Sequence, residues 1–153
     1  MINNKETDEG DTFNVGAISG SLSGALDPDS PEASQHAERY YEAVRRMNMD
    51  IDRIAKNTNF SVEEIKRIKE HVFLKEHDFG DGTKQRFDTS YDMAQSWQRL
   101  IDGKQIEAHD IVLLKHELAE IEEMNNGCSQ QKAHELVNER FNYKESLEKW
   151  RKS

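Results

Sequence analysis

Histidine and glutamate residues at helical spacing are the feature of this sequence that most directly suggests chemistry. His109, His116 and Glu120 lie in one segment, and at about 100° per residue they project from a narrow sector of one helix face. Apolar residues of the same segment, such as Ile111 and Leu114, lie on the opposite side. The pattern therefore predicts a helix with a core face and a separate face of histidine and glutamate.

Imidazole nitrogen and carboxylate oxygen are common ligands of zinc and similar ions, and a neutral histidine can act as a general base near neutral pH. A loop that carries His77 could fold over the histidine and glutamate face. The predicted ligands of a divalent metal such as zinc are His77, His109 and His116. The predicted catalytic groups are His77, His116, Glu117 and Glu120. In the alternative interpretation these side chains are solvated or make local pairs.

Two further histidine patterns could be functional motifs but are less favoured as such. The segment His116–Glu120 begins like the HExxH helix of zinc proteases, but Glu120 stands where the second histidine ligand belongs. A protease of that class is therefore less favoured than a metal site of another kind. His134 shares a helix face with Val137 and Phe141, which indicates a hydrogen-bonded core or interface histidine rather than a ligand.

Composition limits the classes of function. The chain has 153 residues, about the size of one domain, with a formal net charge of −9, and this charge opposes tight nonspecific binding to nucleic acid. Nucleic acid is thus expected only as a substrate. Cys128 is the single cysteine, so a disulfide framework and a multi-cysteine zinc site are excluded. No apolar run approaches the ~20 residues of a membrane span, and the first residues lack an apolar signal region. We therefore expect no membrane association and a location in the cytoplasm of a bacterial host.

The sequence predicts an all-α or nearly all-α fold, a compact bundle of about five or six helices behind a disordered acidic tail. The tail is expected over residues 1–30, which are rich in Gly, Ser, Asp and Asn, and residues 31–153 are expected to form a single helical domain. Residues 85–88 are expected to be extended at most briefly. Caps and apolar spacing predict one long helix from Ser30 to about Asn57 and further helices over 61–74, 89–103, 108–126, 129–141 and 145–152.

Residues 54–65 resemble the turn of a helix-turn-helix motif, whose second helix reads DNA. Here that helix begins with Glu63 and Glu64, which would face the phosphates with like charge. A plain corner between two helices is the favoured interpretation, and a small DNA-binding regulator is kept as an alternative.

Several segments together resemble the C-terminal domain attached to some phage minor head (head-morphogenesis) proteins and to some secreted polymorphic toxins of Gram-positive bacteria. The resemblance covers the chain from about Asp27 to the end, and no single motif carries it. The segments are 40–45, 54–58, 65–73, 77–78, 93–100, 109–110, 113–117, 133–135 and 141–143.

The resemblance implies a phage or prophage gene, or a toxin tip delivered by a phage or by secretion. Toxin tips are often nucleases or other hydrolases, but no catalytic residue is carried over from the family. The favoured hypothesis is an effector domain that is a metal-dependent hydrolase, with an immunity, carrier or capsid protein as partner. The alternative is a non-catalytic module for phage head assembly or protein interaction.

Overall fold

The computed structural model describes residues 26–153, and this part of the chain is mostly helical, as predicted. Two short strands, β1 (His77–Asp78) and β2 (Lys84–Gln85), pair antiparallel with His77 opposite Gln85. The helices are α1 (Pro31–Arg46), α2 (Asp50–Asn57), α3 (Val62–Lys69), α4 (Tyr91–Asp102), α5 (Ala108–Asn125), α6 (Gln130–Asn138) and α7 (Tyr143–Lys152). A π-helical turn, Glu70–Leu74, continues α3. Among the described helices, none has the length and apolar composition to cross a membrane.

The predicted tail lies, as far as residue 25, outside the described residues. Residues 26–30 lead directly into α1 and contact the folded part. Leu26 packs against Ala33, Ala37 and Tyr91, and its backbone N–H donates a hydrogen bond of 3.0 Å to the Tyr91 hydroxyl. In the described chain the packed region therefore begins a few residues before the predicted boundary.

Short polar side chains start most of the helices, because a hydroxyl or amide oxygen can accept a bond from an otherwise unpaired backbone N–H. Ser30, Ser90 and Ser129 cap α1, α4 and α6 in this way. Ser61 forms a reciprocal capping box with Glu64 at the start of α3. These four starts confirm the sequence prediction.

The prediction of a single long helix from Ser30 to about Asn57 is wrong, because helix α1 ends at Arg46 and Met47 is not helical. Met47 is extended, with φ −72° and ψ 143°, and α2 begins anew at Asp50. The buried carboxylate of Asp50 accepts bonds from Lys69 Nζ at 2.9 Å and Trp97 Nε1 at 3.2 Å. Lys69 Nζ also donates to the Met47 carbonyl at 3.1 Å. Apolar spacing continues across the break because α1 and α2 pack on the same core, so it could not reveal the break.

One hydrophobic cluster joins α1 to α5 and gives the bundle its core. Aromatic rings dominate its centre, where Tyr41 and Trp97 lie against Phe73 with ring centroids 4.7 and 5.0 Å away. The fully buried members include Tyr40, Tyr41, Phe73, Trp97, Ile54, Ile65, Ile68, Leu100 and Leu114.

Helix α5 lies at the centre of the bundle, packed against α3, α4, α6 and α7. Its polar face is therefore covered as well as its apolar face, and His109, His116 and Glu120 are buried. These side chains are therefore not solvated, although the local pairs of the alternative interpretation do form, as between His116 and Glu120 at 3.1 Å.

Replacing Lys69 by Met is expected to lower the free energy of unfolding by about 3–5 kcal/mol, because the carboxylate of Asp50 would remain buried without its cation. Urea denaturation at neutral pH measures the loss. The matched control is Lys66→Met, on an exposed position of the same helix, which should change stability by at most about 0.5 kcal/mol. Equal effects of the two substitutions would contradict the role of the buried pair.

Stability is expected to fall as the pH is lowered, in part through His36, whose ring is buried beside Tyr40 and Tyr91. Burial and the charge of Arg39 lower the pKa of His36 to about 4 from its ordinary 6.5. The unfolded chain therefore takes up this proton first, and stability is lost between about pH 6.5 and pH 4.

Replacing His36 by Phe keeps an aromatic ring at the site and removes the titration. We expect the variant to lose about 2–3 kcal/mol less than the wild type over the same pH range. Thermal or urea unfolding at a series of pH values measures the difference. Parallel pH profiles of the two proteins would show that His36 does not titrate as proposed.

Candidate metal centre

Five ionisable side chains from three segments meet at one place beside α5. His116, Glu117 and Glu120 come from α5 itself, His71 from the π-helical turn after α3, and His134 from α6. Two overlapping sets have ligand atoms within 4.8 Å of one another. The outer set is His116, Glu120 and His134, and the inner set is His71, Glu117 and Glu120.

Glu120 belongs to both sets, and its two oxygens face different partners. Its Oε1 lies 2.9 Å from His71 Nε2. Its Oε2 lies 3.1 Å from His116 Nε2 and 3.2 Å from His134 Nδ1. Three imidazole nitrogens therefore surround one carboxylate that is almost fully buried.

The backbone fixes which nitrogen of His116 carries a proton. His116 Nδ1 lies 2.8 Å from the carbonyl oxygen of Phe141, between α6 and α7. A carbonyl only accepts, so Nδ1 must donate. In neutral His116 the Nε2 atom then carries a bare electron pair, directed at Glu120 Oε2 and, 3.2 Å away, at His134 Nδ1. A cation on Nε2, either a proton or a metal ion, removes the repulsion with the carboxylate.

The pKa values reflect this arrangement. Burial alone would lower the pKa of His116, but the hydrogen bond to Glu120 and the charge of Glu117 raise it above its ordinary value. Burial opposes ionisation of Glu120, yet the hydrogen bonds from His116 and His71 hold its pKa well below its ordinary value. The pKa of Glu117 is raised to about 8 by burial and by the neighbouring charge of Glu120.

The π-helical turn and β1 hold the His71 ring in place. A π turn is a local widening of the helix that occurs often at functional sites. The His71 ring packs edge-on against His77, with centroids 4.7 Å apart, and lies 5.3 Å from Phe87. His77 Nε2 also donates to the backbone carbonyl of His71 at 2.8 Å. The ring of His71 is thus fixed before any ligand arrives.

The outer set reaches solvent through His134, whose side chain is 50% exposed. Asn138 lies one turn further along α6, with its amide nitrogen 3.1 Å from His134 Nε2. A cleft of about 620 Å³ lies next to the cluster, between the β1–β2 turn and the start of α6. Gln130 lines this cleft and also lies 3.4 Å from Glu120 Oε1.

Of the residues predicted from the sequence, His116, Glu117 and Glu120 come together, whereas His109 does not join them. His109 precedes His116 by two turns of α5, about 10 Å along the helix axis. Its Nε2 accepts a bond of 2.9 Å from Arg99, and its ring lies 4.9 Å from Trp150. Sharing a helix face does not bring two residues to one site when they lie that far apart along the axis.

His77 lies beside the cluster, but in a different role from the predicted one. Its Nε2 is used by the His71 carbonyl, and its ring stacks on Phe87 at 4.1 Å. Burial lowers the pKa of His77, which favours the neutral form of its ring. In this structure His77 positions His71 instead of supplying that nitrogen as a ligand.

Sequence reasoning missed two members of the cluster, His71 and His134. His134 shares a helix face with Val137 and Phe141 in the sequence, and this pattern indicates a core or interface histidine. His71 depends on the π turn, which apolar spacing does not report.

No protein-family model matches this chain, and no curated protein or solved structure is significantly similar to it. The chemistry of the cluster therefore has to be inferred from its geometry.

In the metal-free protein at pH 6, we expect both ring nitrogens of His116 to be protonated, because its pKa lies above 6.5. His109 is the internal comparison. Burial lowers its pKa, and Arg99 occupies Nε2, so it should be neutral with its proton on Nδ1. Long-range ¹H–¹⁵N spectra distinguish these forms. A neutral His116 at pH 6 would contradict the hydrogen-bond assignment.

Proposed function

We propose that this protein is a metal-dependent hydrolase that holds a divalent cation between His116, His134 and Glu120. The observation that carries the proposal is the Nε2 electron pair of His116. The Phe141 carbonyl directs it at a carboxylate oxygen and another imidazole, both of which can also ligate a metal. Histidine ligands of metals commonly donate their other N–H to a carbonyl in this way.

The donor set fits zinc and similar first-row ions. Two imidazole nitrogens and one carboxylate oxygen form one of the protein ligand sets of catalytic zinc, which keeps a further position open. The half-exposed side chain of His134 gives the outer set a side that water and substrate can reach. A bound ion would supply Lewis acidity and lower the pKa of a water molecule.

The remaining residues orient the ligands. The Phe141 carbonyl fixes the His116 ring, and His71 holds the second oxygen of Glu120. Glu117 is 3.7 Å from His71 Nε2 and is buried. In this proposal Glu117 is therefore not the group that exchanges protons with the substrate, although the sequence suggested that role.

The cleft favours an uncharged or cationic substrate over an anionic one. Asp78, Phe79 and Met124 line it, and the described lining includes neither lysine nor arginine. A nucleic acid would bring its phosphates to this lining, where the proposed metal ion alone would pair with them. A nuclease is therefore the less favoured form of the hydrolase.

The same proposal includes a role as a phage- or toxin-type effector. If the domain is a phage- or toxin-type effector, its expression should slow the growth of a bacterial host, and His134→Ala should relieve the effect. Growth curves after induction, at matched protein levels, measure this outcome. Equal growth with the two proteins would favour the interaction module and leave metal binding open.

Replacing His134 by Ala is expected to weaken binding of Zn²⁺ at the outer set of His116, Glu120 and His134 more than about 100-fold, beyond what loss of an outer hydrogen-bond partner costs. Hydrolysis of chromogenic ester and peptide substrates should fall to background. Because His134 is half exposed, circular dichroism and the unfolding midpoint should change little. Calorimetric titration and rate measurements on the same samples test the proposal.

The matched control is His109→Gln, which changes a histidine of α5 that lies away from the cluster. It should retain Zn²⁺ affinity and activity, even if the loss of its contact with Arg99 lowers stability. A wild-type protein that binds no divalent ion would overturn the proposed function. So would full activity in His134→Ala.

A further inference from the structure

An ion bound by the outer set does not explain why the residues of the inner set, His71, Glu117 and Glu120, lie so close together. His71 Nε2 lies 2.9 Å from Glu120 Oε1 and 3.7 Å from Glu117 Oε1. All three side chains are buried. A single ion at the outer set uses Glu120 Oε2 and leaves this second group of nitrogen and oxygen atoms facing one another.

The buried charge of Glu120 also calls for cations, and the carboxyl group of Glu117 is buried beside it. Within residues 26–153, the ion pairs of Glu117 and Glu120 are all with histidines. The other buried carboxylates with ion pairs have a lysine or an arginine, as Asp50 has Lys69 and Asp110 has Arg99. Buried charges are normally paired or bound to metals. Here the available partners are imidazoles, which are themselves metal ligands.

The inner set is also rigid. The π turn projects His71 toward α5, and His77 and Phe87 hold its ring from the other side. Glu117 and Glu120 are three residues apart on α5 and so lie on one face of the helix. Ligands held in advance lose little entropy when an ion binds.

We propose that His71, Glu117 and Glu120 form a second metal site, so that the centre binds two divalent cations joined by the Glu120 carboxylate. Oε1 of Glu120 would bind the inner ion and Oε2 the outer ion. The mixed nitrogen and oxygen donors suit first-row ions such as Zn²⁺, Mn²⁺ and Co²⁺. This inference rests on the proposed function, because the outer ion shares the carboxylate.

The two sites differ in access. The inner set is closed by the π turn and α5, which is typical of a site whose ligands all come from the protein. The outer set opens at His134. The inner ion would therefore fix Glu120 and add positive charge beside the reacting position, as one member of a two-metal site does. Substrate would reach the outer ion alone.

Mn²⁺ titration of the full chain, followed by electron paramagnetic resonance, tests the second site. We expect two Mn²⁺ per chain and an exchange-coupled multiline spectrum, because ions in two-metal sites lie about 3.5–4 Å apart. Glu117→Gln preserves the shape of the side chain and removes the inner carboxylate, so it should bind one Mn²⁺ and lose the coupling. His134→Ala should also retain one, through the inner set.

The matched control is Glu122→Gln, an exposed position of the same helix, which should bind two ions with the coupling intact. One uncoupled ion in the wild type, lost in His134→Ala, would overturn the second site and leave the proposed function standing. Two coupled ions in Glu117→Gln would also overturn it. No bound ion in the wild type would remove both proposals. The wild-type result decides the matter even if Glu117→Gln does not fold.

Discussion

The central constraint in this structure is that the carboxylate of Glu120 is buried where only imidazoles can neutralise it. Removing an ionised carboxylate from water is costly unless partners surround it. His71, His116 and His134 supply those partners from three different segments. The packing of the π turn and α6 against α5 is therefore tied to the state of charge at one point, and the site and the fold depend on the same contacts.

In the part of the chain that the structure describes, the two other buried carboxylates with ion pairs, those of Asp50 and Asp110, are paired in a way that is purely structural. Asp50 has Lys69 and the Trp97 N–H, and Asp110 accepts two bonds from Arg99. Lysine and arginine stay charged at neutral pH, so such pairs need no further cation. The Glu120 cluster uses imidazoles instead, whose nitrogens can bind either a proton or a metal ion. An imidazole is therefore less suited than lysine or arginine to a permanent ion pair, but it can exchange a proton for a metal ion.

The helices could be predicted from the sequence because their signals are local. Ser30, Ser61 and Ser129 cap helices through bonds to residues three positions away, and apolar spacing reports burial within one segment. The break at Met47 could not be predicted, because it is held by Lys69 from another helix. The residues of the candidate site fall into the same two classes, those with a local signal and those without one. The members on α5 were identified, whereas His71 and His134 depend on how the bundle packs.

The hydrogen bond from His116 to the Phe141 carbonyl distinguishes this residue from a structural histidine. A buried histidine of ordinary structural type can choose its tautomer to suit its neighbours, as His109 does by accepting from Arg99. His116 has no such freedom, because its Nδ1 must donate to a carbonyl. Its remaining nitrogen faces a carboxylate and a second histidine. Protons on His116 Nε2 and His134 Nδ1 can each be donated to Glu120 Oε2, whereas one metal ion can be bound by all three groups. The same three groups can therefore form a hydrogen-bonded network or hold an ion, and the proposed function corresponds to the second case.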